Sequence, residues 1–187
     1  MRRLFLAALV AGAAGPAIAR ANADTYNDAT LGIYLATPES FTISRSTREG
    51  YDLALLINPV GDFPNRVEGE SRLCALHFKA VPSGETQQWL NSRWKDAGTL
   101  AQARRLFERI MEVKSEQTFS LRDGKGSDVV GIEYVGASRQ DPTAVVMTSL
   151  VNTTRGQLQL ACLLRSEQAA KALPTLRAIR DTIRPPG

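Results

Sequence analysis

The chain contains one histidine, His77, so an imidazole-based hydrolytic mechanism would have to use that side chain. His77 follows Cys74 and Leu76 in a strand-like run, and strand alternation places it on the face opposite to these two residues. A serine hydrolase also needs a turn that presents its nucleophile, and the sequence has no G-x-S-x-G pattern. We therefore predict that the protein is not an enzyme. A hydrolase that uses His77 with a serine such as Ser71 is the alternative.

A loop at residues 58–69, with two prolines and two glycines, is the segment best suited to hold a protein partner or a small ligand. The residues predicted to contact that ligand lie in the loop or directly after it: Asp62, Phe63, Asn65, Glu68 and Glu70. The alternative interpretation is that this segment is a surface loop without a binding role.

Metal and cofactor chemistry are not indicated by the residue types. Catalytic zinc needs several histidine, cysteine or carboxylate ligands close together, and one histidine does not supply them. The three carboxylates of the loop region could hold Ca²⁺, but they lack the dense alternation of a calcium loop. Exposed surface acids are the favoured interpretation, and we predict no metal and no cofactor.

The first 23 residues have the pattern of a bacterial export signal. Arg2 and Arg3 form a positive start, an apolar run covers residues 4–10, and Ala21-Asn22-Ala23 is an A-x-A cleavage site. We predict a signal peptide at 1–23 and a single α+β domain at 24–187. The mature chain should be periplasmic or secreted, without a transmembrane anchor. The Sec route is favoured over the twin-arginine route, which the paired arginines also resemble.

The basic charge of the chain belongs mostly to this export segment. The formal net charge is +4, but residues 1–23 contain three arginines and no acid, which leaves 20 basic and 19 acidic side chains. A mature chain with nearly balanced charge gives no reason to expect a nucleic-acid partner.

Cys74 and Cys162 are the only cysteines, so a disulfide in an exported chain has one possible connectivity. Each lies on the more apolar face of a predicted strand, which predicts a bond across neighbouring strands. Two separate buried thiols are the alternative. The spacing is wrong for a C-x-x-C redox motif, so no catalytic thiol is predicted.

Periodicity and turn residues predict a run of strands, two helices, four strands and a closing helix. The strands are predicted at 30–37, 41–46, 51–57, 72–81, 114–122, 128–137, 144–151 and 157–164, with 24–28 irregular. The helices are predicted at 86–95, from a cap at Thr99 through Met111, and from Ser166 onward, where Pro174 should split or kink the last one. Trp89 and Trp94 are predicted to pack in the core, and an aromatic contact surface is the alternative.

Short connections within each run of strands predict a mainly antiparallel sheet. Apolar residues on both faces of several strands predict helices on both faces, which is an α/β/α sandwich of the α+β class. The hairpin at 144–165 is the clearest local pattern and should lie at the centre of the sheet.

Several short segments, in this order of elements, resemble the Mog1/PsbP-type sandwich. They are TPESF at 37–41, VVMT at 145–148, GQLQL at 156–160 and the apolar positions of the last helix. This family includes photosystem-associated PsbP-like proteins, DcrB-like envelope proteins of bacteria and the Ran-binding Mog1. Unlike DcrB-like proteins, the chain has no lipoprotein cysteine, and it shows no sign of chloroplast targeting or of a Ran partner.

The resemblance implies a non-catalytic accessory protein with an assembly or scaffold role. The partner would be an unknown envelope protein or a small ligand. No functional residue of the family can be placed on this sequence.

Overall fold

The computed structural model describes residues 23–187, so the predicted signal peptide lies outside the described residues except for its last position. The strands are β1 Thr25–Asp28, β2 Ile33–Ala36, β3 Phe41–Ser46, β4 Leu53–Pro59, β5 Cys74–Lys79, β6 Met111–Arg122, β7 Asp128–Ser138, β8 Ala144–Thr153 and β9 Gly156–Arg165. The helices are α1 Gln87–Arg93, α2 Ala97–Phe107 and α3 Ser166–Asp181. The predicted order of strands and helices is confirmed.

Seven strands form one sheet in the order β3-β4-β5-β9-β8-β7-β6, and every neighbouring pair is antiparallel. The predicted α+β class with a mainly antiparallel sheet is therefore confirmed. β9 occupies the middle position, and it joins the early strands β3–β5 to the late strands β6–β8. The hairpin of β8 and β9 lies at the centre of the sheet, as predicted.

The disulfide between Cys74 and Cys162 is present, as predicted. The two cysteines are directly opposed in the register of β5 and β9, and both are buried. The bond therefore links the two runs of strands at the point where they meet.

The start of the domain differs from the prediction. Residues 24–28 were expected to be irregular, yet β1 pairs with β2 as a separate two-stranded sheet. The Asp28 side chain accepts hydrogen bonds from the backbone N–H groups of Thr30 and Leu31, and Gly32 takes the positive φ of 73° that completes the turn. The predicted strand at 30–37 therefore begins only at Ile33, because this polar turn occupies its first positions.

The boundary between α2 and β6 also differs from the prediction. Asp96, not Thr99, caps the helix, and its carboxylate accepts the backbone N–H of Thr99 at 2.7 Å. The helix ends at Phe107, and Met111, which was predicted to be helical, starts β6 opposite Ser138. Met111 is fully buried in the strand, so its apolar side chain is removed from water there, as it would be on the buried face of a helix.

The last helix runs without interruption from Ser166 to Asp181, so Pro174 does not split it, and the alternative of a kink stays a prediction. Proline lacks the N–H that would bond to the carbonyl of Ala170. Both residues are exposed, and water can take the place of that hydrogen bond.

Two apolar clusters make up the core. The larger one joins α3 to the strands and contains the disulfide together with Leu176 and Ile179. The smaller one joins α1 and α2 to β6 and β7 through Trp94 and Phe107.

The predicted burial of Trp94 is confirmed, with 3% of the residue exposed, but that of Trp89 is wrong, because it is 43% exposed. Leu90 is the buried residue of the short helix α1, and Trp94 directly follows this helix. The Arg93 guanidinium lies 5.2 Å from the Trp89 ring centroid.

Two adjacent residues of β7 contact different helices. Glu133 is buried and forms ion pairs with Arg177 and Arg180 of α3. The ring of Tyr134 packs against Phe107 of α2, with 5.0 Å between the ring centroids. Glu133 therefore connects β7 to α3, and Tyr134 connects β7 to α2.

Candidate functional site

Six of the side chains of β4, β5 and β9 that point away from the disulfide form a surface that we call the half-face: Ala54, Leu56, Ala75, His77, Ala161 and Leu163. The register places Leu56, Ala75 and Ala161 in one row across the three strands. The main contacts of α1 and α2 with the sheet fall on β6, β7 and β8, beyond this surface.

Small side chains make the half-face concave. Ala54 stands beside His77 on β4, and Ala75 stands beside Ala161, so the floor is low on the β4 side of the imidazole and along the row of alanines. On β9, Gln159 stands beside His77 and donates a hydrogen bond to Thr148. Two adjoining cavities, of 130 and 290 Å³, open here. Arg48, Arg72 and His77 line both of them.

The imidazole of His77 is held by two neighbours from the turn between β3 and β4. The Arg48 guanidinium lies 3.2 Å from its Nε2 atom and 5.2 Å from the ring centroid of Tyr51. The Tyr51 and His77 ring centroids are 4.8 Å apart. Because arginine only donates hydrogen bonds, the imidazole nitrogen that faces it must be unprotonated.

Burial lowers the pKa of His77 to about 4, and the nearby positive charges of Arg48 and Arg72 act in the same direction. The imidazole is therefore neutral at pH 7, which agrees with its role as a hydrogen-bond acceptor from Arg48. A base with so low a pKa has little driving force to remove a proton from a hydroxyl group.

The positive charges of this surface are only partly balanced. Within residues 23–187, no carboxylate lies within 4 Å of the Arg48 or Arg72 guanidinium, since neither takes part in a salt bridge. Glu70 is the acid that lines the smaller cavity. The charged groups around this cavity therefore sum to about +1 at pH 7.

The arrangement around His77 does not match a hydrolase. The hydrogen-bond partner of its ring is Arg48, and no serine or acid in the described part of the chain bonds to it. Ser71, the predicted nucleophile, uses its carbonyl oxygen to accept hydrogen bonds from Asn58 and Arg66. The structure thus does not bring a nucleophile, base and acid together here.

The loop after β4 lies next to the half-face and encloses a third cavity of 470 Å³. Of the residues predicted to bind a ligand, Asp62, Asn65 and Glu70 line this cavity. Phe63 is 39% exposed, and the Lys171 ammonium of α3 lies 4.8 Å from its ring centroid. Glu68 is exposed and is not part of the lining.

The loop is fixed to the rest of the domain at its base and at its middle. The Asn58 side chain accepts the backbone N–H of Leu73 at 2.8 Å, which closes the base of the loop. The backbone N–H of Asn65 donates to the Gln168 side chain of α3 at 2.8 Å. Glu70 lines both the loop cavity and the smaller cavity of the half-face, so the two surfaces are continuous.

Residues 23–187 contain no group of three or more potential metal ligands among histidine, cysteine, aspartate and glutamate. None of the helices in the same range is both long and apolar enough to cross a bilayer. Asp62, Glu68 and Glu70 are all exposed.

Arg48, Tyr51 and Arg72 are the site residues that sequence analysis did not identify. The first two lie in or beside the turn between β3 and β4, and the third lies just before β5. Alternation alone places His77 opposite the cysteine face. The register between β4 and β5, which brings the turn over the imidazole, has no local signal in the sequence.

No protein-family model matches the chain, and no curated protein sequence matches it. Among solved structures, cyanobacterial PsbP (CyanoP) from Synechocystis sp. PCC 6803 is similar, with a TM-score of 0.53 and 11% sequence identity. The match covers 94% of this chain and 97% of that one.

A second structure, of the protein of unknown function PA94 from Pseudomonas aeruginosa, matches with a TM-score of 0.42 and 11% identity, over 88% of this chain and 98% of that one. Because the sequence identity to cyanobacterial PsbP is only 11%, this similarity shows a shared fold and nothing more. The chain has a PsbP-like fold, as the resemblance in its sequence predicted.

Proposed function

We propose that the protein is a non-catalytic accessory protein that binds a protein partner or a small ligand on the half-face and the adjoining loop. The observation that carries this proposal is the concave surface around His77. Among residues 23–187, its two arginines have no carboxylate partner and the imidazole has no hydrogen bond to a serine or an acid. Such a surface combines an apolar floor with a few fixed polar groups, which is the usual character of a binding site.

We also propose that the architecture is the predicted α/β/α sandwich, with one face only partly covered. The opposed contacts of Glu133 with α3 and of Tyr134 with α2 support this arrangement. Partial coverage leaves β4, β5 and β9 available on the α2 side, and these are the strands that carry the half-face.

A periplasmic or secreted location belongs to the same proposal. It rests on the signal-like pattern of residues 1–23 and on the disulfide between Cys74 and Cys162, because structural disulfides persist mainly in oxidising compartments. An envelope protein or a small molecule of that compartment would then be the natural partner.

Two assays separate this function from a hydrolase. Turnover of ester and peptide substrates should be absent in the wild type and unchanged in His77→Gln. Affinity capture from the native envelope should recover the same partner with the wild type and with Ala101→Arg, an exposed change on α2. Leu163→Arg, which places a charge on the half-face, should abolish that recovery. Turnover that disappears in His77→Gln would refute the proposal.

A further inference from the structure

We infer that the cavity of 130 Å³ lined by Arg48, Glu70, Arg72 and His77 binds a monoanionic carboxylate carried on a short apolar stem. This inference rests on the proposed binding function and names the ligand chemistry of the same surface. It follows from the charge, the size and the floor of the cavity.

The charge of the cavity selects an anion. Arg48 and Arg72 both line it, and neither has a carboxylate within 4 Å in the described part of the chain. Guanidinium groups pair with carboxylates through directed, charge-assisted hydrogen bonds. Two of them around one cavity therefore provide the means to hold a carboxylate from two sides.

The balance of charge favours one negative charge over two. Glu70 also lines the smaller cavity, so the two arginines and this glutamate leave a net charge of about +1. A monocarboxylate neutralises this charge. A phosphate dianion would leave an excess negative charge next to Glu70, which is unfavourable at close range.

The orientation of Arg48 is set before any ligand arrives. It donates to the neutral His77 ring and lies over the ring of Tyr51. A guanidinium that is already positioned loses little side-chain freedom on binding. Arg72, which has no such partners in the described structure, can turn toward the ligand.

The floor of the cavity selects the stem. Ala75, Ala161, Leu163 and Val146 lie beneath the charged groups and offer apolar contacts. The cavity volume of 130 Å³ is small, so the stem should have only a few carbon atoms beyond the carboxylate. A large ligand would have to extend into the neighbouring cavity of 290 Å³.

The test uses the single histidine as a reporter. Butyrate, butyramide and inorganic phosphate are titrated at constant ionic strength into the purified protein, and the ring resonances of His77 are followed by NMR. Butyrate should give a saturable shift and raise the pKa of His77, because a bound carboxylate favours the charged imidazole. Butyramide, which has the same shape without the charge, should give no saturable shift.

Two variants locate the effect. Arg72→Gln should weaken butyrate binding by about tenfold or more, since it removes a charged hydrogen-bond donor. Arg109→Gln, which removes an exposed arginine outside the site, should leave binding unchanged. An unchanged far-UV spectrum and melting temperature in both variants shows that they are folded.

The inference is overturned if butyrate gives no saturable shift up to about 50 mM, since weaker binding would fall outside the range of ordinary ligand sites. It is also overturned if phosphate binds more tightly than butyrate, or if Arg72→Gln binds as the wild type does. Each of these results leaves the proposed function standing, provided that Leu163→Arg still loses its captured partner.

Discussion

From the low pKa of His77 we predict how the free energy of unfolding changes with pH. Its folded-state pKa of about 4 lies below the ordinary value of 6.5, so the unfolded chain takes up the proton first as the pH falls. The contribution of this group to stability is complete above pH 6.5 and is lost progressively as the pH falls toward 4. His77 is the only histidine, so no other side chain of its type titrates in that window.

The magnitude follows from the two pKa values. For a fully enclosed group, a drop in the pKa from 6.5 to about 4 would lower the free energy of unfolding by about 2.4 kcal/mol between pH 7 and pH 4.5. The imidazole lines two open cavities, and water there screens part of this effect. We therefore expect a loss of about 1.5 kcal/mol that is specific to His77.

Urea unfolding of the wild type and of His77→Gln at pH 7, 6, 5 and 4.5 measures this loss. Carboxylates contribute equally to both proteins at the acid end, so the difference between them isolates the imidazole. Relative to its value at pH 7, the free energy of unfolding of the wild type should fall progressively further than that of His77→Gln as the pH is lowered. In Arg48→Gln, which removes one of the two nearby positive charges, the wild-type loss should become smaller.

An equal decline in the wild type and His77→Gln would refute the reasoning, because the loss would then come from other groups. Arg109→Gln serves as the charge control and should follow the wild type. The ring resonances of His77 provide an independent check, since they should show no protonation until the pH falls below about 5.

Three further tests concern the core, and the last of them has a control variant. Glu133→Gln should lower the free energy of unfolding by about 3 kcal/mol in urea, because it leaves the buried Arg180 without its full counter-charge. Replacing Cys74 and Cys162 by alanine together should cost about 4 kcal/mol, from the loop of 88 residues that the disulfide closes, and reduction of the wild type should give the same loss. Gly136→Ala should cost about 2 kcal/mol because its methyl group would overlap the Glu112 backbone, whereas Gly84→Ala, with no atom within 4 Å of the new carbon, should be nearly neutral.

The central elements of the fold can be predicted from the sequence because they depend on patterns within short segments. β8 and β9 alternate regularly around a short turn, so the hairpin and its apolar face follow from the residues alone. The cysteine pair follows from the same alternation together with the export pattern. The hairpin does not depend on how distant segments pair. The disulfide does, since Cys74 and Cys162 meet in the register of β5 and β9, but two cysteines allow only one connectivity.

The errors concern places where distant contacts decide between alternatives. Met111 has helical spacing to Phe107 but pairs with Ser138 in the sheet, a contact between distant segments that the spacing does not reveal. Trp89 has the spacing of a core residue, yet α1 is too short to bury it. Residues 25–28 carry few apolar side chains and form a strand only because β2 lies beside them.

The candidate site was predicted only in part for the same reason. The loop could be identified from its composition, and Asp62, Asn65 and Glu70 do line a common cavity. Whether these residues contact a ligand stays a prediction. Arg48 reaches His77 only through the pairing of β4 with β5 and the turn before it, a register that the sequence does not reveal locally.

Photo-cross-linking in the native envelope tests most directly whether the half-face is the binding surface. A cross-linking residue is placed at Ser44, which pairs with Leu56 on the half-face side of β3, or at Glu70. Exposed positions on two helices, Ala101 and Ala178, serve as controls. We predict one cross-linked species from Ser44 and Glu70 and none above background from the controls. Cross-links that are strongest at Ala101 or Ala178, or equal at all four positions, would contradict the account.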